Sequence, residues 1–214
     1  MKFGINTFTL KMIAIVAMLI DHVGAVLLPQ YRVLRYIGRI AFPIFAYTLV
    51  EGFCYTKDIK KYMMRMGVLA LLSEIPFDLA LTGKVLEFGH QNVFFTLFLG
   101  LLMLYLMTKA PDEVRGLLCV FVILFVSRYL RIDYSYRGLL MIFWYYLYRN
   151  NKPMKFFGIA FINVFIMGGP QIFALLALIP LLLHNGEQGP KCKGFFYGFY
   201  PAHLLAIYLV KMIM

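Results

Sequence analysis

Residues 10 to 28 form a largely apolar run that contains Asp21 and His22 about two-thirds of the way along it. The 19 residues of this run are enough to cross a bilayer hydrocarbon core of about 30 Å as a helix. An aspartate near the centre of such a helix costs on the order of 2.5–3.5 kcal/mol on insertion scales. The two residues are therefore the first candidates for a functional site, and the rest of the chain is expected to fold as a helical bundle around them.

The composition supports a membrane protein. The chain is 62% hydrophobic and 14% charged, whereas soluble domains are about 45–50% apolar and about 25% charged. Its formal net charge is +11, but the basic residues lie between apolar runs rather than along one face. Positive-inside bias and anionic lipid account for them, so we expect no nucleic-acid partner. The three cysteines lack the spacing of a metal site and predict no disulfide framework.

Apolar runs separated by charges, proline and glycine predict an all-α polytopic membrane protein of about nine transmembrane helices, within a range of eight to ten. They cover residues 10–28, 37–55, 62–82, 93–108, 116–130, 138–148, 156–168, 170–183 and 201–213. Gly168-Gly169-Pro170 separates the seventh run from the eighth, and this short pair is alternatively a re-entrant or broken segment. The whole chain, 1–214, is predicted to be a single integral membrane domain, with the first run retained as a helix rather than removed as a signal peptide.

The distribution of Lys and Arg predicts a cytoplasmic N-terminus. With that orientation the inside connections hold thirteen basic residues and the outside connections hold seven, which is the bias of the positive-inside rule. The outer basic residues include Arg128, Arg131 and Arg137, which lie close in sequence to Asp133. Part of that cluster is expected to be paired with the aspartate.

Several other ionisable residues lie at membrane depth in the second and third predicted helices. With a rise of 1.5 Å per residue, His22 and Glu74 both lie about 18 Å from the inner surface, so they meet if their helices are neighbours. Asp78 is one turn further along, near the level of Arg39, while Glu51 lies near the inner end of its helix. Arg39, Glu51 and Asp78 either hold helices together as buried pairs, such as Arg39 with Asp78, or line a substrate site.

His22 is the predicted catalytic residue, with Asp21 and Glu74 as the carboxylates of its site. A neutral imidazole with a carboxylate nearby is how a general base is built, because the carboxylate fixes the tautomer and stabilises the imidazolium that forms.

The inner connections carry basic residues that suit phosphate groups. Lys57, Lys61 and Arg65 fall at i, i+4 and i+8, which is one helix face if the third helix begins early. A plain positive-inside anchor explains the same spacing. The polar, glycine-rich connection 184–193 also faces inside, and from it we assign Lys191 to donor binding and Asn185 to the lining of the site.

The segment before the final apolar run is rich in aromatic residues. Phe195 to Tyr200 is most simply an interfacial belt, and Pro201 suits the first turn of the final helix. His203 then lies about 5 Å deep, well short of His22. It is either a second functional histidine or a lining residue, and this topology does not place the two histidines in one site.

Six motifs together resemble the TraX family over almost the whole chain, from Leu10 to Leu205. They are LKMIAIVAMLIDHVGAVL, RYIGRIAFPIFAYTLVEGFCYTKDIKKYMMRM, SEIPFDL, QNVFFTL, HNGEQG and FYGFYPAHLL. The family is named for the membrane protein that N-acetylates the amino terminus of conjugative pilin. The resemblance implies a multi-pass acetyltransferase of the bacterial inner membrane. Its donor is acetyl-CoA, and its acceptor is an amine, or secondarily a hydroxyl, of a peptide, secreted product or envelope molecule.

TraX proteins are also similar to the wider group of transmembrane acyltransferases. In that group a histidine in the first helix is catalytic and an arginine motif after the second helix serves acyl-CoA. The matching positions are His22 and, more loosely, Lys61 and Arg65. His22 then acts either as general base for direct attack on the thioester or as a carrier that takes the acetyl group itself.

Two other functions fit parts of the same pattern. A proton-coupled transporter would use the intramembrane acids and arginine as a relay, although the chain is short and has no detectable repeat of halves. An intramembrane metal hydrolase would use Asp21, His22, Glu74 and His203, but no spaced histidine motif is present. The acyltransferase hypothesis requires no metal.

Overall fold

The computed structural model describes residues 3–190 and 192–214 of the chain. Its α-helices are α1 (Thr7–Val26), α2 (Arg32–Gly38), α3 (Ala41–Tyr55), α4 (Ile59–Thr82), α5 (Val93–Lys109), α6 (Glu113–Tyr129), α7 (Ser135–Leu147), α8 (Lys152–Phe161), α9 (Leu178–Leu182) and α10 (Lys193–Ile213). A π-helical turn, Ile162–Met167, extends α8, and a 3-10 helix, Gly169–Ala177, leads into α9. The predicted all-α class is confirmed.

Each of the nine predicted runs overlaps a helical segment. Among the described residues, three spans are long and apolar enough to cross a membrane: Thr7–Val26, Arg32–Tyr55 (α2 with α3) and Gly194–Ile213. Shorter apolar helices, including Val93–Lys109 and Gly169–Leu182, accompany them. The fold is that of a helical membrane protein, while the number of crossings, the single domain and the cytoplasmic N-terminus stay predictions.

Polar caps explain why several helices begin before their apolar runs. Asn6 accepts a hydrogen bond from the backbone N–H of Thr9 at 2.9 Å, so α1 starts three residues before Leu10. Asp58 does the same for Lys61 at 2.9 Å and starts α4 at Ile59. An Asx side chain at the N-cap satisfies backbone donors of the first turn, which makes a polar first turn stable ahead of the apolar stretch.

Helix α3 lies at the centre of the bundle. Its residues from Ala41 to Val50 are buried except for Phe45, and it packs against α1, α5 and α7. At the periphery, α6 exposes Leu117, Phe121 and Phe125, as expected for a helix that faces lipid. Helix α10 packs along α4 and also contacts α1.

The predicted start of the final helix is wrong. Helix α10 begins at Lys193 rather than at residue 201, so Pro201 lies inside the helix and not in its first turn. The aromatic residues 195–200 belong to the helix. His203 is consequently about 15 Å along α10 at 1.5 Å per residue, not about 5 Å.

The predicted break after the seventh run is confirmed. Gly168 and Gly169 have φ of 65° and 54°, a region that residues with a Cβ rarely adopt. On either side of the turn, the buried Asn163 and Gln171 are joined by a hydrogen bond of 3.3 Å. The chain therefore reverses between the π-helical turn and the 3-10 helix, and the two short pieces together form a broken hairpin.

Candidate functional site

Two histidines from α1 and α10 meet inside the bundle. His22 Nδ1 lies 2.7 Å from His203 Nε2, and the two nearly parallel rings have centroids 5.0 Å apart. The expectation that His203 lies apart from His22 is wrong, because the earlier start of α10 carries His203 to the depth of His22.

The hydrogen bonds of this pair fix the proton positions on both neutral rings. His203 Nδ1 lies 2.8 Å from the carbonyl oxygen of Phe199, which can only accept, so Nδ1 carries the proton. His203 Nε2 is then the acceptor, and His22 Nδ1 must donate to it. With the proton of His22 on Nδ1, its Nε2 keeps a lone pair, which is the form that a general base or nucleophile needs.

The carboxylate beside His22 has two arginine partners. Asp21 Oδ2 lies 2.6 Å from Arg35 Nη1, and Asp21 Oδ1 lies 2.8 Å from Arg39 Nη2. The predicted pairing of Arg39 with Asp78 is therefore wrong. Neither carboxylate oxygen is the hydrogen-bond partner of His22, because His203 occupies that position. A Cβ at Gly38 would lie 2.2 Å from the side chain of Asp21, so a glycine there lets α2 approach α1 closely enough for both ion pairs.

Glu74 and Asp78 are not part of the histidine site. Glu74 accepts hydrogen bonds from the backbone and side chain of Asn92. Asp78 accepts one from the backbone N–H of Glu87 at 2.6 Å. Both carboxylates thus hold the 83–92 loop to α4. The expected meeting of Glu74 with His22 is not observed: α10 packs along α4 and itself supplies the partner of His22.

Spaces that share lining residues with the His22 cavity lie towards both ends of the bundle. His22 lines a cavity of about 40 Å³ together with Asp21, Phe45 and Tyr200. A second space of about 100 Å³, lined mainly by apolar side chains, shares Phe45 and Tyr200 with it and runs towards Lys11. We call this second space the inner passage. It follows that His22 lies close to a route that starts at the end of the bundle where α1 begins.

A third space opens at the opposite end of the bundle. This outer cleft has a volume of about 480 Å³ and shares Asp133 and Tyr134 with the His22 cavity. Its basic lining residues are Arg39, His90, Arg128, Arg131 and Arg137.

The segment between α6 and α7 shapes the boundary between the cavity and the outer cleft. Arg131, Tyr134 and Ser135 have φ of 51°, 62° and 48°, each at a cost of roughly 1–3 kcal/mol. Backbone hydrogen bonds with Gln91, both of 3.0 Å, hold the segment, and the ring of Tyr134 stacks on that of Phe42. Strain that is kept in this way is typical of functional sites.

His90 lies in the loop between α4 and α5 and faces the segment between α6 and α7. Its Nε2 lies 3.6 Å from Asp133 Oδ1. This contact, reinforced by the charges of Asp133, Glu74 and Asp78, raises the pKa of His90 despite partial burial. Asp133 thus has a histidine partner rather than the arginine partner expected from the sequence.

The basic residues predicted for donor binding are only partly brought together. Tyr62 lines the inner passage, and the Arg65 guanidinium lies 5.7 Å from the centre of its ring. Arg65 Nε is buried and lacks a hydrogen-bond partner among the described residues. Lys61 is one turn earlier on α4 and exposed, whereas Lys57 precedes the N-cap and is not on the helix. The three-residue helix face is therefore reduced to Lys61 and Arg65.

Three residues predicted from the sequence remain, Lys191, Asn185 and Glu51. Lys191 is outside the described residues. Asn185 connects two chain segments: its N–H donates to the carbonyl of Ile5 at 3.0 Å, and its side chain accepts from the N–H of Glu187 at 2.9 Å. Glu51 interacts electrostatically with the buried Lys155 of α8. Neither Asn185 nor Glu51 lines the His22 cavity.

Sequence reasoning missed two groups near these sites. Arg35 was counted only among the seven basic residues of the outside connections, although its spacing of four from Arg39 already places both on one helix face. His184 is hydrogen-bonded to Tyr47 at 3.0 Å and to Thr7 at 3.1 Å. Its place in the HNGEQG motif was the sequence feature that could have pointed to it. His184 lies after α9 outside the helices, and burial lowers its pKa.

The geometry does not favour the metal hydrolase. Glu74 is bound to Asn92, and Asp21 is occupied by two arginines. Within residues 3–190 and 192–214, no group of three or more His, Cys, Asp and Glu side chains is arranged to hold a metal ion.

A helical bundle with long apolar spans and a histidine pair at its centre defines a helical membrane protein with a candidate acid–base site. Residues 7–211 match the family model described as TraX protein, so the chain belongs to the TraX family. The resemblance seen in the sequence is confirmed.

Two relatives accompany the family match. The chain is 29% identical over 236 aligned positions to the "Probable fimbrial assembly protein FimC, serogroup H1" of Dichelobacter nodosus, and the alignment covers 97% of this chain and 96% of that one. It is 36% identical over 77 residues to an uncharacterized protein of Rickettsia prowazekii (strain Madrid E), covering 36% of this chain and 31% of the other. No solved structure matches the chain.

Proposed function

We propose that this protein is an acetyltransferase of the bacterial inner membrane that moves an acetyl group from acetyl-CoA to an amine of an acceptor. The observation that carries the proposal is the histidine pair. His203 holds His22 in the tautomer whose Nε2 is a free base, and His22 lines a cavity that adjoins spaces towards both ends of the bundle.

The reaction balances without any group beyond donor, acceptor and His22. The acceptor nitrogen attacks the thioester carbonyl carbon, and His22 Nε2 takes the proton that the nitrogen loses. The C–N bond forms, the C–S bond breaks, and the imidazolium returns the proton to the leaving CoA thiolate. The products are an N-acetylated acceptor and CoA. A hydroxyl acceptor would follow the same steps and yield an ester.

Asp21 and its two arginines provide the electrostatics of the site. One carboxylate with two guanidinium groups leaves a net charge of +1 beside His22. A preorganised positive charge in a low-dielectric site stabilises the negative charge that develops on the thioester oxygen in the transition state. Asp21 is therefore assigned to positioning the arginines, and not to orienting His22.

The donor enters from the end of the bundle where α1 begins, which the positive-inside bias assigns to the cytoplasm. We assign the binding of the CoA phosphates to Lys61 and Arg65, at the end of the bundle where Lys11 lines the inner passage. Lys11 and His22 are 11 residues apart on one helix, about 16 Å. The extended pantetheine arm of CoA spans a comparable distance, so the thioester reaches His22 while the nucleotide stays outside.

The relative from Dichelobacter nodosus bears the name of a fimbrial assembly protein. This name supports a peptide amine of a surface-fibre subunit as the acceptor.

Donor binding is the first test. A ligand that binds only the folded state stabilises it by about 2.7 kcal/mol at a hundredfold excess over Kd. Purified protein in detergent is therefore heated with acetyl-CoA, CoA or ATP. We expect stabilisation by acetyl-CoA that His22→Ala retains and that Lys61→Ala/Arg65→Ala loses.

The matched control is Lys60→Ala/Lys109→Ala, which removes two exposed charges at the same end of the bundle. It should respond to acetyl-CoA as the wild type does. Transfer is then followed by mass spectrometry of peptides with free amino termini, and His22→Ala should give none. Folded protein that responds to no CoA species, or acetyl transfer retained by His22→Ala, would overturn the proposal. An acetyl group trapped on His22 would replace direct transfer by the carrier route.

A further inference from the structure

The outer cleft is strongly basic and adjoins the catalytic cavity. Arg128, Arg131 and Arg137 line it and are exposed. None of these three guanidinium groups forms an ion pair with a carboxylate in the part of the chain that the structure describes. The acid within the cleft, Asp133, is already bound to His90 and to the backbone N–H of Tyr134.

Three arginines around one cleft, none in an ion pair with a described carboxylate, have a specific chemistry. The guanidinium group is planar, stays charged and binds carboxylate or phosphate oxygens through two parallel hydrogen bonds. Residues that merely anchored the protein to the membrane would not need to converge on a cleft of about 480 Å³. The cleft has room for a charged group and the chain segment attached to it.

The backbone of the same cleft is held in an unusual conformation. Arg131 itself has φ of 51°, and Tyr134 and Ser135 follow with positive φ. The hydrogen bonds to Gln91 fix this segment, and its Asp133 and Tyr134 reach from the cleft to the wall of the His22 cavity. A molecule bound to the arginines is therefore placed next to the catalytic space.

We infer that the outer cleft is the acceptor site, and that it recognises an acceptor carrying a carboxylate or phosphate near its amine. Arg128, Arg131 and Arg137 bind the anionic group, and the amine extends past Tyr134 towards His22. The inference rests on the proposed acetyltransferase function for the role of the bound molecule. The acceptor site then lies at the end of the bundle opposite to the donor entrance.

Inorganic phosphate is the probe, and thermal unfolding in a neutral detergent is the readout. Phosphate stabilises most proteins weakly by exclusion from their surface, so only the difference between variants is interpreted. The cleft variant is Arg128→Gln/Arg131→Gln/Arg137→Gln. The control variant removes three exposed charges at the other end, Lys60→Gln/Lys109→Gln/Lys152→Gln. A third variant, Lys61→Gln/Arg65→Gln, removes phosphate binding at the donor entrance.

We expect a saturable shift in Tm with phosphate in the wild type, the control variant and the donor-entrance variant, and its loss in the cleft variant. Equal responses in all four proteins would overturn the site. Responses to acetyl-CoA are measured in parallel. If acetyl-CoA stabilises no variant while the cleft still binds phosphate, the proposed acetyltransferase fails and the anion site stands.

Lipid headgroups carry the same phosphate chemistry, so the measurement is repeated in nanodiscs of phosphatidylcholine and of phosphatidylglycerol. A phosphate shift that persists in both supports the acceptor site. A shift that disappears in phosphatidylglycerol, with less of this lipid retained by the cleft variant, would overturn the acceptor assignment in favour of a lipid site. Amine peptides with and without an acidic residue then test acceptor choice, and the cleft variant should lose the preference for the acidic peptide.

Discussion

Replacement of His203 tests the proton arrangement at the centre of the site. In His203→Leu, the Nδ1–H of His22 loses an acceptor at 2.7 Å. A buried donor without a partner costs about 1–3 kcal/mol. The neutral ring can also move its proton to Nε2, which removes the base. If this stabilisation is lost in the transition state, the transfer rate falls about 5- to 150-fold, since 1.36 kcal/mol is tenfold.

The conservative variant distinguishes a positioning role from a packing role. The amide oxygen of His203→Gln can accept the same hydrogen bond from His22, so this variant should recover most of kcat, while KM for acetyl-CoA stays unchanged in both variants. The rates are measured as CoA thiol released and as acetylated peptide. Equal kcat in the wild type and His203→Leu would refute the reasoning, as would equal loss in the Leu and Gln variants when both are folded.

A spectroscopic measurement checks the same point without turnover. The chain has four histidines, so nitrogen NMR of histidine-labelled protein in membranes can resolve them. We expect His22 in the Nδ1–H tautomer in the wild type and a mixture of tautomers in His203→Leu. An Nε2–H tautomer of His22 in the wild type would contradict the hydrogen-bond assignment.

Two further predictions concern stability. Gly38→Ala places a Cβ 2.2 Å from Asp21, so α1 and α2 must separate. We expect this variant to have a lower Tm and to lose transfer. The control is Gly198→Ala on α10, which has open space around it; its stability should stay the same or rise by up to about 1 kcal/mol through better helix propensity. An unchanged Tm in Gly38→Ala would contradict the close packing of α1 and α2. For His90, the contact with Asp133 raises the pKa above its ordinary value of 6.5. A raised pKa in the folded state contributes stability that is full below the unfolded value and is lost as pH rises through the folded value. The difference in unfolding free energy between the wild type and His90→Gln, measured by denaturation across pH, should therefore be largest in acid and shrink above pH 6.5. A difference that grows with pH would contradict the raised pKa of His90.

Hydrophobic runs predict the helices of this protein well, because a segment buried in lipid must be continuously apolar and must pair its backbone N–H and C=O groups in hydrogen bonds of its own. The same runs predict the ends of helices less well. Asn6 and Asp58 begin helices three residues before the apolar stretch, and their capping chemistry was readable from the sequence. For α10 the aromatic segment was compatible with both an interfacial belt and a helix, and the helix is observed.

Contacts between helices were the weak part of the sequence-based site. Depth along a helix places His22 and Glu74 at one level, but depth does not say which helices are neighbours. The prediction required the helices of His22 and Glu74 to be close neighbours, whereas α10 packs against both α1 and α4. His22 was identified as a candidate because it is a polar group at membrane depth, while its partner His203 depended on a contact across 181 residues.

The contact between α1 and α10 also has a consequence for biosynthesis. The ribosome adds His203 181 residues after His22, which at about 5–20 residues per second takes roughly 10–40 s. During this time His22 lacks the partner that fixes its proton. The centre becomes complete only when α10 inserts beside α1. Partly synthesised chains, and chains cut before α10, therefore lack the histidine pair.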